Sequence, residues 1–570
     1  MKNLLVTLFY SLLTIEIACA DNSFYLDSST RFHPVIGLEG LVVSQEAIAS
    51  KVGADILKAG GNAIDAAVAT GFALAVTLPR AGNLGGGGFM LIHLAENNKT
   101  IAIDYREMAP MSSTEDMYLD KEGKANEDLS RTGGLAVGVP GSVAGILEVH
   151  KKMGSLPLSE LIQPSIELAE NGFLVTEKQA TSLNSKRDEF IKVNGRETFY
   201  GKTFKKGDTI KNPNLAKALT EISKYGNKGF YEGWVAESMV QKINKTGGKI
   251  LLEDFKSYEP KWRKPIVFNY KDLRVISMGP PSSGGICLAQ MMKMIEPFNI
   301  GDLEYKSYEA MHLMIEAERR SYADRSYFLG DPDFVSIPEY HLISSDYLSE
   351  RMLNYNPLVA TKSSDISYGD IVVAESDETT HFSILDSFGN AVSVTTTLNG
   401  SYGSKVFVDE IGVFMNNEMD DFSSKPGSPN MFGLIGGKAN SIKPKKRMLS
   451  SMTPTIVERK GKLFLILGTP GGSTIITSVF QTILNAYEYK MGIQESIDSP
   501  RFHHQWVPDS VRFEPNFKNI SELKKLKSIG HQFDLQKSKF IGRVDAIMVD
   551  KIGNISVGAD KRGDDNAQTY

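Results

Sequence analysis

One stretch in the second half of the chain limits the possible folds more than any other. Two runs of alternating apolar and polar residues, THFSILD at 380–386 and NAVSVTTTL at 390–398, are separated by a turn that contains a glycine and an asparagine. Alternation with a period of two predicts strands, and these turn residues favour a tight hairpin. A hairpin symmetrical about Phe388 sets three cross-strand pairs: Leu385–Ala391, Ser383–Ser393 and Thr379–Thr397. The register therefore predicts an antiparallel sheet with two threonine hydroxyls side by side.

The hairpin starts abruptly after residues 361–378, TKSSDISYGDIVVAESDE, whose frequent serine and aspartate are typical of an exposed segment. A threonine hydroxyl is a poor nucleophile unless a nearby base takes its proton. A free α-amine, with a pKa of about 8, can act as that base when the threonine is the first residue of a chain. Thr379 can become a first residue only by cleavage of the Glu378–Thr379 bond. One hypothesis is that a subunit ends at Glu378 and another begins at Thr379; the alternative is that these threonines are simply good strand formers.

The rest of the chain predicts a single interleaved α/β unit. The 570 residues, 41% of them hydrophobic, are enough for a large core or for two coupled cores. Up to about residue 347 the patterning is mostly helical, with a helical pair around the cap residue Asn62 and two strand-like runs, NLGGGGFMLIHL and KTIAIDYREMAP. Strand signals dominate after residue 378. The net charge of −5, without long blocks of either sign, argues against a nucleic-acid partner.

The N-terminus is typical of an exported protein. Lys2 precedes an apolar run from Leu4 to about Leu13, and Ala18-Cys19-Ala20 fits a signal-peptidase site, so residues 1–20 are predicted to be a signal peptide. A lipoprotein cleaved before Cys19 is the weaker alternative, because Glu16 stands where an aliphatic residue is usual. No later apolar run approaches the roughly 20 residues that span a bilayer. We expect a periplasmic or secreted protein without a membrane anchor.

Several motifs resemble those of one enzyme family. The string TTHFSILDSFGNAVSVTTTLNGSYG at 379–403 resembles the signature of the γ-glutamyltranspeptidases, which reads Thr-(Ser/Thr/Ala)-His-x-(Ser/Thr), then Gly-Asn, then Val-x-x-Thr-x-Thr-Leu-Asn and a closing aromatic-Gly. The resemblance runs from about residue 40 to 570 and includes AGGNAIDAAVA, YREMAP, NNEMDDFSSKPGSPN, LSSMTPTIV, GTPGGSTIIT and PRFHHQW.

This resemblance implies a fold and a subunit organisation. Members of the family are α/β N-terminal-nucleophile hydrolases with a four-layer αββα sandwich, made as one chain that cuts itself. The implied parts are a signal peptide at 1–20, a heavy subunit at 21–378 and a light catalytic subunit at 379–570. The two subunits would stay associated as one interleaved unit, and the sequence leaves open whether two such pairs assemble.

The resemblance also implies a role for each site residue. Thr379 would be the nucleophile, both for cleavage after Glu378 and for attack on a substrate amide, and Thr397 would orient its hydroxyl. The other implied roles are Arg106, Ser450 and Ser451 for the α-carboxylate of the donor, Asn399, Glu418 and Asp421 for its α-ammonium, Gly471 and Gly472 for the oxyanion, and Phe432 for the lid. Many bacterial members carry a tyrosine at the lid position, so a hydroxyl contact to Asn399 is lost here, and the balance between water and amino-acid acceptors is expected to change.

The implied reaction transfers the γ-glutamyl group of glutathione, glutamine or another γ-glutamyl amide to water, amino acids or peptides through a γ-glutamyl–Thr379 ester. Neither a cofactor nor a metal is implied, and His503 and His504 are interpreted as structural. Two alternatives stay open: a glutaryl-type acylase of the same fold, and an unprocessed, inactive homologue that binds amino-acid ligands. Without an α-ammonium, Glu418 and Asp421 would lie close together and unpaired, which argues against the acylase. The complete set of site residues argues against the inactive homologue.

Overall fold

The computed structural model describes residues 34–366 and 379–570, except 424, 426–429, 432, 433 and 435. The predicted signal peptide, Glu378 and the lid residue Phe432 therefore lie outside the described residues. Within the described part, no helix is both long enough and apolar enough to cross a bilayer.

Helices occur along the whole described chain. They are α1 (Ala47–Lys58), α2 (Ala63–Thr77), α3 (Glu127–Arg131), α4 (Ser142–Met153), α5 (Leu158–Asn171), α6 (Glu177–Asn194), α7 (Pro213–Tyr225), α8 (Lys228–Tyr231), α9 (Gly233–Lys245), α10 (Leu252–Lys256), α11 (Gly284–Ile295), α12 (Tyr308–Phe328), α13 (Glu339–Leu342), α14 (Ser345–Arg351), α15 (Thr474–Tyr487), α16 (Ile493–Asp498) and α17 (Ile520–Ser528).

The strands are β1 (Val35–Gly37), β2 (Leu41–Ser44), β3 (Gly87–Leu94), β4 (Lys99–Tyr105), β5 (Phe173–Leu174), β6 (Thr209–Ile210), β7 (Lys261–Arg263), β8 (Ile266–Tyr270), β9 (Leu273–Ser277), β10 (Thr380–Leu385), β11 (Ala391–Thr397), β12 (Phe407–Val408), β13 (Val413–Phe414), β14 (Thr455–Arg459), β15 (Lys462–Gly468), β16 (Phe502–His503), β17 (Arg512–Phe513), β18 (Asp545–Val549), β19 (Ile555–Gly558) and β20 (Asn566–Thr569).

Two antiparallel sheets of seven strands each form the centre of the molecule. The first, sheet A, has the order β1-β19-β18-β15-β14-β9-β8, and the second, sheet B, has the order β20-β2-β10-β11-β3-β4-β7. Each sheet combines strands from before and after Thr379. The hairpin β10–β11 lies in the middle of sheet B, so its side chains are buried on both faces.

Neighbouring residues of one strand point to opposite faces of a sheet, and this divides the core into layers. Leu41 and Val43 of β2 pack with Ile456 of β14 between the two sheets. Val42, which lies between them, packs instead with α1 and α2 on the outer face of sheet B. On the outer face of sheet A, α11, α12 and α15 form a further core with β8 and β15. The four-layer αββα sandwich that the resemblance implied is therefore confirmed.

Local patterns that were visible in the sequence also appear in the structure. The hairpin pairs Leu385 with Ala391 and Ser383 with Ser393, as the symmetry about the turn predicted. Asn62 caps α2: its side chain accepts hydrogen bonds from two backbone N–H groups of the first turn, in a capping box with Asp65. The hairpin register places Thr379 and Thr397 at the same end of sheet B.

Candidate active site

The proposed nucleophile directly precedes β10. Thr379 is buried, and its Oγ1 is 3.5 Å from Oγ1 of Thr397 at the end of β11. The backbone N–H of Asn399 donates to Thr397 Oγ1 at 2.7 Å, which fixes the orientation of that hydroxyl. The two hydroxyls that the register argument predicted to be neighbours are therefore adjacent.

The histidine nearest in sequence is not available as a base for Thr379. His381 lies two residues further along β10, and its ring nitrogens are bonded to Thr395 Oγ1 and Ser383 Oγ, both at 2.9 Å. Burial lowers the pKa of His381 to about 3, so its ring is neutral at physiological pH. The Cβ position of Gly468 lies 2.4 Å from this ring, so packing requires a glycine there. His381 therefore supports the packing behind the site and does not take the proton of Thr379.

Arg106, directly after β4, is held by carboxylates on two sides. Its Nη1 is 2.5 Å from Oε2 of Glu418, and its Nη2 is 2.5 Å from Oδ2 of Asp421. A third carboxylate, that of Glu107, lies 3.5 Å from Nη1. The residues expected to bind the two charged groups of a donor thus contact one another directly, and a zwitterionic ligand would have to take over both sides of these ion pairs.

This cluster has more acid than base. Burial raises the pKa of Glu107 to about 8 and raises the pKa of Glu418 well above its usual range, although the adjacent Arg106 acts in the opposite direction. Burial also raises the pKa of Asp421. Neither carboxylate oxygen of Glu107 has a hydrogen-bond donor among the described residues. A ligand that brings an additional positive charge would favour the ionised form of these carboxyls. The residue that sequence reasoning missed here is Glu107, the direct neighbour of Arg106.

The two serines of LSSM are arranged as hydrogen-bond donors toward the cavity. Met452 N–H donates to Ser450 Oγ at 3.1 Å, and Nη2 of Arg325 donates to Ser451 Oγ at 3.1 Å. Since each oxygen already accepts a hydrogen bond, each hydroxyl hydrogen can be directed to a ligand. A pair of such donors beside Arg106 favours an anionic group such as a carboxylate.

Gly471 and Gly472 form the turn between β15 and α15. Their φ angles are +132° and +52°, values at which residues with a side chain are disfavoured. The Cβ position of Gly471 is 2.5 Å from Thr474 Oγ1, a second reason for glycine. No acceptor for the N–H of Gly471 or Gly472 is present within the described part of the chain. These buried donors at a helix N-terminus are available to an oxyanion.

One small cavity brings the predicted residues together. It has room for about one water molecule, with a volume of about 20 Å³. Its lining comprises Arg106, Thr379, Thr397, Asn399, Glu418, Asp421, Leu434, Ser450, Ser451, Met452 and Gly472. Gly471 is the one described member of the predicted site that does not line the cavity, and it directly precedes Gly472. A donor can enter only if the Arg106 ion pairs rearrange.

Two asparagines hold the acidic side of this cavity. Nδ2 of Asn430 donates to Oδ1 of Asp421 at 2.9 Å, and Nδ2 of Asn399 donates to the carbonyl of Asn417 at 3.0 Å. Asn399 has a φ of +72°, a conformation that asparagine tolerates better than most residues. Asn430 was not identified from the sequence, because the lid segment had no pattern that linked it to Asp421.

One group of side chains elsewhere has the residue types of a metal site. His312, Glu316 and His531 are buried together. His312 Nδ1 and His531 Nε2 are 2.8 Å apart and share a hydrogen bond, however, and His312 Nε2 is bonded to the carbonyl of Asn356. Glu316 is paired with Arg320 at 2.6 Å. Because the two histidines are bonded to each other and Arg320 is paired with Glu316, we assign a structural role to this group.

His503 and His504 are likewise bonded to protein groups. His503 contacts Thr477 Oγ1 and Gln505 Oε1, both at 2.9 Å. Burial lowers the pKa of His503 to about 3 and that of His504 to about 4. Their contacts agree with the interpretation of both residues as structural.

Comparison with known proteins places these features in one family. A family model described as Gamma-glutamyltranspeptidase matches residues 49–570. The glutathione hydrolase proenzyme of Escherichia coli (strain K12) is 45% identical over 539 residues, 94% of this chain and 92% of that protein. The crystal structure of Helicobacter pylori γ-glutamyltranspeptidase is 43% identical with a TM-score of 0.56, covering 61% of this chain and 99% of that chain. The crystal structure of cephalosporin acylase from Bacillus halodurans is 26% identical with a TM-score of 0.81, covering 95% of this chain and 97% of that chain. The family model and the Escherichia coli relative both match nearly the whole chain, and the protein therefore belongs to the γ-glutamyltranspeptidase family.

Proposed function

We propose that this protein is a γ-glutamyltransferase and glutathione hydrolase. It would take the γ-glutamyl group from glutathione, glutamine or another γ-glutamyl amide and transfer it to water, amino acids or peptides. The observation that carries the proposal is the single cavity in which the hydroxyl of Thr379 meets Arg106, an acidic pair and two serine hydroxyls. A nucleophile and groups complementary to both charges of an α-amino acid thus share one enclosed space.

Recognition of the donor follows from the charges. The α-carboxylate would lie between Arg106, Ser450 and Ser451, and the α-ammonium would lie against Glu418 and Asp421. The α-carboxylate of the donor would take the place of the acidic side chains at Arg106, and its α-ammonium would take the place of Arg106 at Glu418 and Asp421. Each charge therefore keeps a partner of opposite sign when the ligand binds. The side chain of the donor would then direct its γ-carbonyl toward Thr379.

The proposed chemistry begins with cleavage of the precursor. The Thr379 hydroxyl attacks the carbonyl of Glu378, the acyl group moves from nitrogen to oxygen, and water hydrolyses the resulting ester. The new α-amine of Thr379 can then accept the proton of its own hydroxyl during attack on the donor. The N–H groups of Gly471 and Gly472 would stabilise the oxyanion of the tetrahedral intermediate. The leaving amine takes up the proton, and water or an acceptor amine resolves the γ-glutamyl ester.

An acylase that acts on glutaryl side chains is the main alternative, and cephalosporin acylase is a structural relative at 26% identity. A glutaryl group has the terminal carboxylate but no ammonium. Its binding to Arg106 would leave Glu107, Glu418 and Asp421 without a full counter-charge in a buried site. Buried carboxylates that lose their counter-charge either stay ionised, at a cost of several kcal/mol, or take up a proton, and in neither case do they contribute to binding of a glutaryl group. The acidic excess around Arg106 therefore favours the γ-glutamyl donor.

The subunit organisation and the export of the protein are part of the proposal. A heavy subunit, 21–378, and a light subunit, 379–570, would stay together because both sheets contain strands from each. The relative from Escherichia coli is named a proenzyme, which supports processing. Removal of a signal peptide at 1–20 would release the protein into the periplasm or the medium.

Intact-mass analysis of the purified protein tests the central step. We expect two polypeptides, the lighter beginning at Thr379, and hydrolysis of γ-glutamyl-p-nitroanilide. The variant Thr379→Ala should remain one uncut chain and lose turnover. Thr380→Val is the matched control, since Thr380 is equally buried and its hydroxyl has no hydrogen-bond partner among the described residues. Turnover by Thr379→Ala, or an uncut but active wild-type chain, would refute the mechanism.

A further inference from the structure

Arg325 is a buried cation next to the candidate donor site. It lies in the last turn of α12, and only 4% of its surface is exposed. Its Nη2 donates to Ser451 Oγ at 3.1 Å, and its Nε donates to Ser283 Oγ at 2.9 Å. Both partners are neutral hydroxyls, and no carboxylate of the described residues forms an ion pair with this guanidinium.

The contrast with Arg106 is informative. Arg106 is paired with two carboxylates, whereas Arg325 feels Asp421 only at longer range, and Asp421 is already paired with Arg106. Burial lowers the pKa of Arg325, yet an arginine stays protonated in proteins. A buried charge without a counter-ion is costly unless a ligand supplies one. The charge state of Arg325 therefore points to an anion that is bound on the Ser451 side.

Arg325 also fixes the position of both serines. Ser283 receives the Nε hydrogen bond, and its own hydroxyl and backbone N–H both donate to the carbonyl of Ser450 at 2.8 Å. The guanidinium thus holds Ser451 by its side chain and Ser450 through Ser283. The Ser451 hydroxyl is thereby held directly, whereas Ser450 is held at its backbone carbonyl and its hydroxyl oxygen accepts from the N–H of Met452. Loss of the Arg325 guanidinium would release the Ser451 hydroxyl and remove the Nε hydrogen bond that holds Ser283 against the backbone of Ser450.

We propose that Arg325 is a positioning and specificity-determining residue for the α-carboxylate of the donor, which it recognises through Ser451 and through its own uncompensated charge. The inference rests on the proposed γ-glutamyl transfer. It goes beyond that proposal because it assigns recognition of the carboxylate to two arginines: Arg106, which lines the cavity and is paired with acidic side chains, and Arg325, which contacts Ser451.

Competitive inhibition of the mature enzyme by three small acids separates the contribution of Arg325 to α-carboxylate binding from its effect on the rest of the site. L-Glutamate has both charged groups at its α-carbon, glutarate lacks the ammonium, and 4-aminobutyrate lacks the α-carboxylate. With γ-glutamyl-p-nitroanilide as substrate, Arg325→Gln should raise the Ki of L-glutamate and of glutarate about tenfold or more, because a hydrogen-bonded charge is lost. The Ki of 4-aminobutyrate should change less than about threefold. Arg325→Lys, which keeps the charge but not the fork, should give an intermediate loss for the two carboxylates.

Arg319 supplies the matched control. It lies on the same helix and is buried, but it is paired with Asp509 and Ser363, away from the cavity. Arg319→Gln should lower the thermal midpoint without changing the ratios among the three Ki values. Equal weakening of all three inhibitors by Arg325→Gln, or no weakening, would overturn the inference; if Arg325→Gln does not fold, the ratio in Arg325→Lys decides. Failure of the wild-type enzyme to cleave the anilide would instead refute the proposed function.

Discussion

Substitution of Asp421 by asparagine tests the ammonium side of the site. The two oxygens of Asp421 each accept one hydrogen bond, from Nη2 of Arg106 at 2.5 Å and from Nδ2 of Asn430 at 2.9 Å. An amide has only one oxygen, so Asp421→Asn must turn its NH₂ group toward one of these two donors. The variant therefore loses an acceptor and a negative charge together, without a change in size.

The expected magnitude follows from the contact. A hydrogen bond to a charged group contributes about 1.5–3 kcal/mol, which corresponds to roughly 10- to 150-fold in kcat/KM. We expect that loss for γ-glutamyl-p-nitroanilide, mostly through KM, because the ammonium contact is made in the ground state and the transition state alike. Glutaryl-p-nitroanilide has no ammonium, so its kcat/KM should stay constant or rise.

Asp420→Asn is the control for this measurement. Asp420 is the next residue back along the chain and is also buried, but its Oδ1 accepts from Ser130 at 2.5 Å and its Oδ2 accepts from the N–H of Met431. Its substitution should lower stability and leave the ratio of the two anilide substrates within about threefold. An equal loss for both substrates in Asp421→Asn would refute the assignment of the ammonium to this side.

Two further predictions concern the oxyanion turn and the acidic cluster. Gly471→Ala introduces a Cβ at a φ of +132° and 2.5 Å from Thr474 Oγ1, so kcat should fall about 100-fold while KM changes little; a change confined to KM would contradict the oxyanion role. The Ki of L-glutamate should decrease as pH rises from about 7 to 9, because Glu107, with its pKa raised to about 8, loses most of its proton over this range and attracts the ammonium more strongly. Glu107→Gln should remove this pH dependence, and a Ki that still follows pH in that variant would assign it to another group.

The hairpin shows how much of the fold could be predicted from local pattern. The alternation of apolar and polar residues on both sides of a short turn was sufficient for the pairs Leu385–Ala391 and Ser383–Ser393, since a shift by one residue would reverse every side chain. The same holds for the cap at Asn62. In these places, neighbours in sequence are neighbours in space.

The polar contacts of the site could not be predicted in this way. Arg106 and Asp421 are 315 positions apart, and Arg325 and Ser451 are 126 positions apart. No periodicity links such pairs, and only the family motifs indicated that the first pair belongs to one site. Arg325 and Glu107 were missed because each looked like an ordinary charged residue until the structure showed its burial.

Both sheets contain strands from each half of the chain, and this sets the order of folding and cleavage. For a chain cut before Thr379, each half alone would expose unpaired strand edges and half of a core, so neither half can be stable by itself. The hairpin alone brings Thr379 beside Thr397, but Arg106, at the end of a strand of sheet B, and Gly472, after a strand of sheet A, join them only when both sheets have formed. If Thr379 performs the proposed cleavage with these groups, folding must come first, and cleavage would mark a chain that has already folded correctly. A cut enzyme would be kinetically stable: its lifetime would be set by its unfolding rate, because refolding would require two separate polypeptides to associate again.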